Sequence, residues 1–429
     1  MSTNATTRRV THCRVCEATD WQEVVSLGDT PLAGGFLDPA DRYDDEPFFP
    51  LGLISCRSCR LLSLTHVVDP EVLFRVYAYT TSESQTMRTH MTRVVELSRD
   101  RFALAPQSLI VEIGSNVGDQ LIAYQRAGMR VLGVDPARNI AEIANAAGVE
   151  TLTEFFDVGV ARRIRAQYGP AKQILGRHVF AHVDDIAEVL AGAGELLDPD
   201  GVFTIEVPYA LEMLRRNEFD TIYHEHLSYF FISTLVALFA RHGLRLVDVE
   251  RVAVHGGSVL VSAARADSAW TPRPIVAELC ALEESTDING DEVSRKFAGT
   301  VAGTVRELPE LLRTLVGSGK RIAGYGAPAK GNTLLNVCGI GADLIEYCCD
   351  TTPFKQGKVQ PGTHIPIRGP EYAKANPPDY FLLLAWNYAD EIIQQESDFL
   401  ANGGRFIVPV PRPAIVPGAS DAGRIAGVA

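Results

Sequence analysis

The sequence predicts an α/β protein built from three consecutive blocks. These are a cysteine-paired N-terminal segment, a central Rossmann-like domain and a second Rossmann-like α/β domain at the C-terminus. Three observations carry this expectation. Two Cys-x-x-Cys pairs lie near the start, apolar strands alternate with helical stretches through the rest, and glycine-rich strand–helix turns occur at Gly114 and again at Gly324. Strands alternating with helices predict a parallel, doubly wound sheet. The expected boundaries are residues 1–75, 76–265 and 266–429.

The chain of 429 residues exceeds what one hydrophobic core comfortably serves. Apolar content of 46% and charged content of 22% are those of a soluble globular protein. A net charge of −13 argues against a broad nucleic-acid surface, though a local basic pocket can still hold a phosphate. No apolar run approaches membrane-spanning length, and the polar start Met1–Val10, with Arg8 and Arg9, lacks a signal-peptide core. The expectation is a cytoplasmic protein with a small-molecule substrate, no nucleic-acid partner and no membrane partner, as a monomer or a homodimer.

In the first block, Cys13-Arg-Val-Cys16 and Cys56-Arg-Ser-Cys59 are separated by 39 residues. Two residues between thiolates allow a tight knuckle that turns both sulfurs onto one metal, and two knuckles complete a tetrahedron. Four protein ligands leave no open position, so a structural Zn2+ site is expected. Cys280, Cys338, Cys348 and Cys349 show no ligand spacing and read as small apolar core residues.

In the second block the expected strands are Ser108–Gly114, Val131–Asp135, Gln173–Val179 and Gly201–Val207. The first runs into Glu112-x-Gly114-x-Asn116-x-Gly118 and the helical Asp119–Ala127. Glycines there let backbone approach a ligand that a Cβ would exclude. The second strand ends in Asp135, placed to take ribose hydroxyls of an adenosine. The turn is wider than the Gly-x-Gly-x-x-Gly that packs a pyrophosphate, and it suits a methionine tail instead. Together these features predict an S-adenosylmethionine site.

Two histidine clusters follow. His178-Val-Phe-Ala-His182 lies where the fourth strand should end, the edge at which ligands collect in such sheets. Tyr223-His224-Glu225-His226 stands between the helical Tyr209–Arg216 and Ser233–His242. In an extended turn Tyr223 and Glu225 would face one way, His224 and His226 the other. Three readings stay open at this point. The cluster does acid–base chemistry at carbon, or it forms a metal site from His182, His224 and His226, or it is a solvated loop entering a helix.

The third block follows a helical stretch that includes Val301–Val316. Its expected strands are Arg321–Tyr325, Ile345–Cys349, Tyr380–Leu384 and Arg405–Val408. Gly324-x-Gly326-x-x-Ala329, with Asp350 closing the next strand, fits a dinucleotide fingerprint, so an NAD(P)-dependent oxidoreductase is the alternative. Against that, Pro328 and Lys330 occupy the turn, and Lys330 at a helix start suits a substrate phosphate. An unliganded Rossmann-like turn is the third reading.

Taken in order, these motifs resemble the sugar C-methyltransferase family of deoxysugar and antibiotic biosynthesis, including the carbon-3 methyltransferases of D-tetronitrose-type pathways. The resemblance spans nearly the whole chain. It rests on the four cysteines, the Glu112–Gly118 turn, His182, Tyr223-His224-Glu225-His226, His255-Gly-Gly-Ser258 and Gly324-Tyr-Gly-Ala-Pro-Ala-Lys-Gly-Asn332. It implies a zinc domain, a class I methyltransferase domain binding S-adenosylmethionine, and a C-terminal Rossmann-like domain that helps hold a sugar nucleotide. The implied substrate is a thymidine-diphosphate (dTDP)-linked 4-keto-6-deoxy sugar or amino sugar. The implied catalytic group is Tyr77, His182, Tyr223, Glu225 and His226, with His226 as base. The cofactor-binding set is Glu112, Gly114, Asn116, Gly118, Asp135, Pro136 and His178, the last standing where relatives carry asparagine. The substrate-binding set is His255, Gly257, Ser258, Lys330, Gly331 and Asn332.

Overall fold

The computed structural model describes residues 7–74, 85–286, 288 and 291–416. The central block is a seven-stranded sheet. Its order is Leu244–Val252, Ser258–Arg265, Leu197–Pro208, Ala171–Arg177, Leu109–Ile113, Arg130–Val134 and Thr151–Leu152. The last five pair in parallel, while Ser258–Arg265 runs antiparallel to both of its neighbours. The strand Leu109–Ile113 is buried at every position, as a parallel strand covered on both faces must be. This order puts the ends of Leu109–Ile113, Arg130–Val134, Ala171–Arg177 and Leu197–Pro208 side by side.

The expected strands are found with small shifts. The strand expected at Gln173–Val179 ends at Arg177, because His178 takes a left-handed backbone (φ 54°) and its N–H donates to the Glu206 carbonyl at 2.8 Å. The fifth is longer than expected, Leu197–Pro208, with an irregularity between Leu197 and Val202.

The N-terminal block is a four-stranded antiparallel sheet of order Ser228–Tyr229, Leu62–Leu64, Phe49–Cys56 and Trp21–Thr30. Its edge strand Ser228–Tyr229 comes from the central block, two residues beyond His226. The C-terminal block is a six-stranded sheet in which Ile367–Arg368, Cys348–Cys349, Ile322–Tyr325, Tyr380–Leu383 and Arg405–Val408 are parallel, with Ala414–Val416 antiparallel at the edge. Only Cys348–Cys349 of the expected Ile345–Cys349 forms a ladder, since Leu344 and Ile345 are still turning back on the Gly341 carbonyl. The helix Asp291–Gly317 bridges the blocks and packs against Trp21–Thr30. Val24, Leu53, Ile174, Leu211, Leu312, Leu382 and Ile407 belong to one continuous buried cluster, so the three blocks share a core. Cys338, Cys348 and Cys349 are buried in it or beside it and Cys280 is half-buried, all four as free thiols. Among the described residues no helix is long and apolar enough to cross a membrane.

Candidate active site

Each Cys-x-x-Cys forms the expected knuckle. Glu17 N–H returns to the Cys13 carbonyl and Arg60 N–H to the Cys56 carbonyl, both at 2.9 Å, and Glu17 and Arg60 each take positive φ to close the turn. The four sulfurs lie within 4.8 Å of one another, with Cys13 Sγ to Cys59 Sγ at 3.4 Å and Cys16 Sγ to Cys56 Sγ at 3.5 Å. A zinc–sulfur bond of about 2.3 Å gives tetrahedral edges of about 3.8 Å, so this donor set fits a zinc ion. Among the described residues it is the one cluster of potential ligands close enough to share a metal.

At the carboxyl edge of the central sheet a cleft of about 2050 Å³ reaches from Glu112 to the C-terminal block. Glu112, Gly114, Asn116, Asp135, Pro136 and His178 all line it. The Asp135 carboxylate accepts the N–H groups of Asn116 and Ala137, both at 2.9 Å, which fixes it at the edge with lone pairs to spare. Glu112 is 3% exposed, burial pushes its carboxyl up to about 8 against the pull of Arg177, and its Oε2 has no hydrogen-bond partner among the described residues. A buried acceptor at one end and a carboxylate at the other suit a ligand with an ammonium group and a ribose. The glycines also serve packing. A Cβ on Gly114 (φ 63°) would strike Val179 at 2.7 Å, and one on Gly118 (φ 86°) would meet Val149 at 3.0 Å. The missing side chains make room for packing, and Gly118 does not line the cleft.

Beneath this edge lies a buried carboxylate that no sequence motif marks. Glu206 is wholly buried. It accepts from His90 Nε2 at 2.8 Å, with His178 Nε2 at 3.2 Å and Arg177 Nε at 3.4 Å. Burial alone would raise its pKa, but His178, His90 and Arg177 hold it well below the usual carboxylate range. Phe155, Phe156 and Asp157, after the third strand, also line the donor end and belong to no motif.

The second cluster departs from an extended turn. His226 N–H bonds back to the Tyr223 carbonyl at 2.9 Å, and this tight turn brings Tyr223, Glu225 and His226 onto one side. His224 alone points away, its ring 5.8 Å from Phe49 of the N-terminal sheet. His226 Nδ1 lies 2.9 Å from the Thr221 carbonyl, which only accepts, so Nδ1 carries the proton. Nε2 is then the lone-pair nitrogen, and the Tyr223 hydroxyl donates to it at 2.7 Å. The His182 and His226 rings are 5.0 Å apart, and His182 Nε2 is buried with no hydrogen-bond partner among the described residues. Burial pushes His226 well below its ordinary pKa, with His182 adding to the effect, and burial pushes His182 down to about 3. Both imidazoles are neutral at physiological pH. The metal reading of these histidines does not hold, because His224 leaves the group. Tyr77 lies outside the described residues.

The C-terminal block supplies the opposite wall with Tyr325, Gly326, Pro328, Ala329 and Lys330. Lys330 is 9% exposed, its ammonium 5.0 Å from the Trp386 ring centre, and its charge opposes the upward shift that burial imposes on Glu218 and Asp220. Gly331 and Asn332 face the fold. A Cβ on Gly331 would meet Leu384 at 2.6 Å, and Asn332 is buried. Gly257 and Ser258 also lie outside the cleft lining, with the Ser258 hydroxyl donating to the Val254 carbonyl at 3.2 Å. The His255 side chain is outside the described residues. Asp350, expected to meet a ribose under the oxidoreductase reading, accepts from Ala327 N at 2.7 Å and Thr352 N at 2.8 Å and pairs with Lys355 at 3.4 Å.

Three family descriptions match the chain: a zinc binding domain over residues 13–74, a methyltransferase domain over 87–249 and a C-methyltransferase C-terminal domain over 253–411. Among curated proteins the chain is 49% identical over 409 residues to the C-methyltransferase NovU of Streptomyces niveus, covering 95% of this chain and 97% of that protein. Among solved structures it is similar to magnesium protoporphyrin IX methyltransferase of Synechocystis PCC 6803. That match is 13% identical over 44% of this chain and 88% of the other, with a TM-score of 0.32. The 1,6-didemethyltoxoflavin-N1-methyltransferase of Burkholderia thailandensis is 20% identical over 42% and 80%, TM-score 0.32. The second glycine turn therefore lies in a C-methyltransferase C-terminal domain, and the oxidoreductase alternative finds no support. The cofactors are S-adenosylmethionine for the methyltransferase domain and a structural zinc ion on the four cysteines. With its N-terminal, central and C-terminal blocks all matched and NovU alike over almost its full length, the chain belongs to the C-methyltransferase family.

Proposed function

We propose that this C-methyltransferase methylates carbon 3 of a dTDP-linked 4-keto-6-deoxy sugar or amino sugar through an enolate. The observation that carries the reading is the pair His226 and Tyr223. It is a neutral imidazole whose lone-pair nitrogen is fixed by the Nδ1–Thr221 bond, with a phenol 2.7 Å away, in the cleft that also holds Asp135 and Lys330. A keto group at carbon 4 acidifies the hydrogen on carbon 3. The Tyr223 hydroxyl turns from His226 Nε2 to the oxygen on carbon 4, His226 Nε2 takes that proton, and the electron pair of the broken C–H bond moves into the enolate. S-adenosylmethionine, when bound, supplies an electrophilic methyl group: the nucleophilic carbon forms a C–C bond to it as the S–CH3 bond breaks, the electron pair returns to sulfur and S-adenosylhomocysteine leaves.

A base as deeply buried as His226 is a weak one, so stabilisation of the enolate oxygen carries much of the rate. Tyr223 and His182 are the donors nearest to His226, and Glu225 borders the same space. Tyr77 joins this group on the family resemblance alone. Glu112, Asn116, Asp135, Pro136 and His178 hold the donor. Among the residues expected to bind substrate, Lys330 lines the cleft among the described side chains, and we assign the diphosphate to it.

The test is product analysis on a panel of dTDP-linked 4-keto sugars with S-adenosylmethionine. A gain of one methyl group, located on carbon 3 by NMR, is the expected result. Methylation on oxygen or nitrogen, or at another carbon, overturns the assignment.

A further inference from the structure

Arg14, between Cys13 and Cys16, has a side chain only 6% exposed. Its guanidinium reaches out of the N-terminal block into the two segments that carry the histidine pair. Nε donates to Asp184 Oδ1 at 3.0 Å, and Asp184 stands two residues beyond His182. Nη1 lies 3.5 Å from the carbonyl of Leu227, the residue after His226, and donates to Ser63 Oγ at 2.7 Å. The same Leu227 carbonyl accepts Leu64 N–H at 3.1 Å, and Ser63 pairs with Ser228 in the sheet. A planar fork with donors in fixed directions links the Asp184 carboxylate to the Leu227 carbonyl in a way an ammonium cannot.

We infer that Arg14 is a positioning residue: the first zinc knuckle, through this one side chain, sets the distance between His182 and His226. The inference rests on the proposed roles of that pair. The knuckle fixes the root of the side chain, and the fork fixes the two exits from the active-site turns. The zinc domain thereby acts on the geometry of catalysis as well as on folding. Misplacement of a catalytic group by about 1 Å costs on the order of 100-fold in rate.

Arg14→Met keeps the aliphatic stem and removes the donors, while Asp184→Asn weakens the same link without touching the knuckle. The measurements are zinc per chain, S-adenosylmethionine affinity by calorimetry, and hydrogen–deuterium exchange at carbon 3 of dTDP-4-keto-6-deoxyglucose in heavy water without the methyl donor. Histidine 15N spectra, which need no substrate, accompany them. Both variants are expected to keep zinc and donor affinity, to exchange about 10- to 100-fold more slowly, and to shift the His182 and His226 resonances. The double variant should lose less than the product of the two single losses, because the Arg14–Asp184 contact is common to both. Arg14→Lys should recover little.

Wild-type exchange and unshifted histidine resonances in zinc-loaded Arg14→Met overturn the inference. If that variant loses zinc, Asp184→Asn decides in the same way. His226→Asn is the control. Its normal exchange would sink the base assignment itself, whereas a dead control beside fully active Arg14 and Asp184 variants sinks only the positioning role.

Discussion

Replacing His226 by asparagine tests the proposed chemistry most directly. The imidazole is held at both nitrogens, by Thr221 O at 2.9 Å and by the Tyr223 hydroxyl at 2.7 Å. Asparagine removes the base but not the fold. The Thr221 carbonyl still accepts the Tyr229 hydroxyl at 2.9 Å, so no buried carbonyl is stranded, and one bond, that of the Tyr223 hydroxyl to Nε2, is lost. Loss of one such partner costs about 1–3 kcal/mol, within the margin of an ordinary folded protein. General-base catalysis contributes about 10² to 10⁴-fold, or roughly 3–5 kcal/mol of barrier. The expected variant is folded, binds S-adenosylmethionine normally and loses turnover by that factor. Carbon-3 proton exchange should fall in parallel, because it reports on the base without methyl transfer. Steady-state turnover and exchange by NMR are the assays. Turnover within about threefold of wild type refutes the base assignment, since general-base help is worth far more than that. Normal exchange with lost methylation would move the role of His226 to a later step.

Three further outcomes are expected. Glu112, pushed up to about 8 in the free protein, keeps its proton below that pH, whereas a cationic ligand beside it favours the carboxylate, so donor binding releases a proton. Affinity for S-adenosylmethionine should therefore rise as the pH approaches about 8, and Glu112→Gln should flatten that rise. A flat wild-type profile by calorimetry rejects this coupling. Lys330→Ala should raise the sugar-nucleotide KM about 10- to 100-fold with a smaller change in kcat, as loss of a charge-assisted contact predicts. An unchanged KM removes Lys330 from the diphosphate. Cys56→Ser should release the zinc ion and lower the melting temperature, since structural zinc contributes to folding outright. Full zinc retention in that variant, read by atomic absorption, contradicts the four-cysteine site.

Much of the active site is legible in the amino-acid sequence. The Glu112–Gly118 turn and Asp135 are close in sequence to the strands that carry them, so their meeting follows from one strand–helix–strand unit. His182 and His226 come from separate segments. They meet because the strands Ala171–Arg177 and Leu197–Pro208 are neighbours and because a tight turn bonds His226 N–H to Tyr223 O. That turn also reverses the expected facing of the cluster, sending His224 to Phe49 while Tyr223, Glu225 and His226 stay together. Alternation arguments assume an extended chain, and one backbone hydrogen bond is enough to void them.

The α/β class, the four-cysteine zinc set and the glycine–acid pattern of the donor edge can be read from the chain alone, because each depends on short-range spacing and hydrophobic periodicity. Tertiary structure alone decided that Gly114 and Gly118 make room for Val179 and Val149, and that Gly331 makes room for Leu384. It also decided that Glu206 collects His90, Arg177 and His178, and that Arg14 joins the zinc knuckle to both histidine segments. A single charged residue carries no local sign of being buried. Its partners come from distant segments, and only the packing of three blocks into one core brings them within hydrogen-bonding reach.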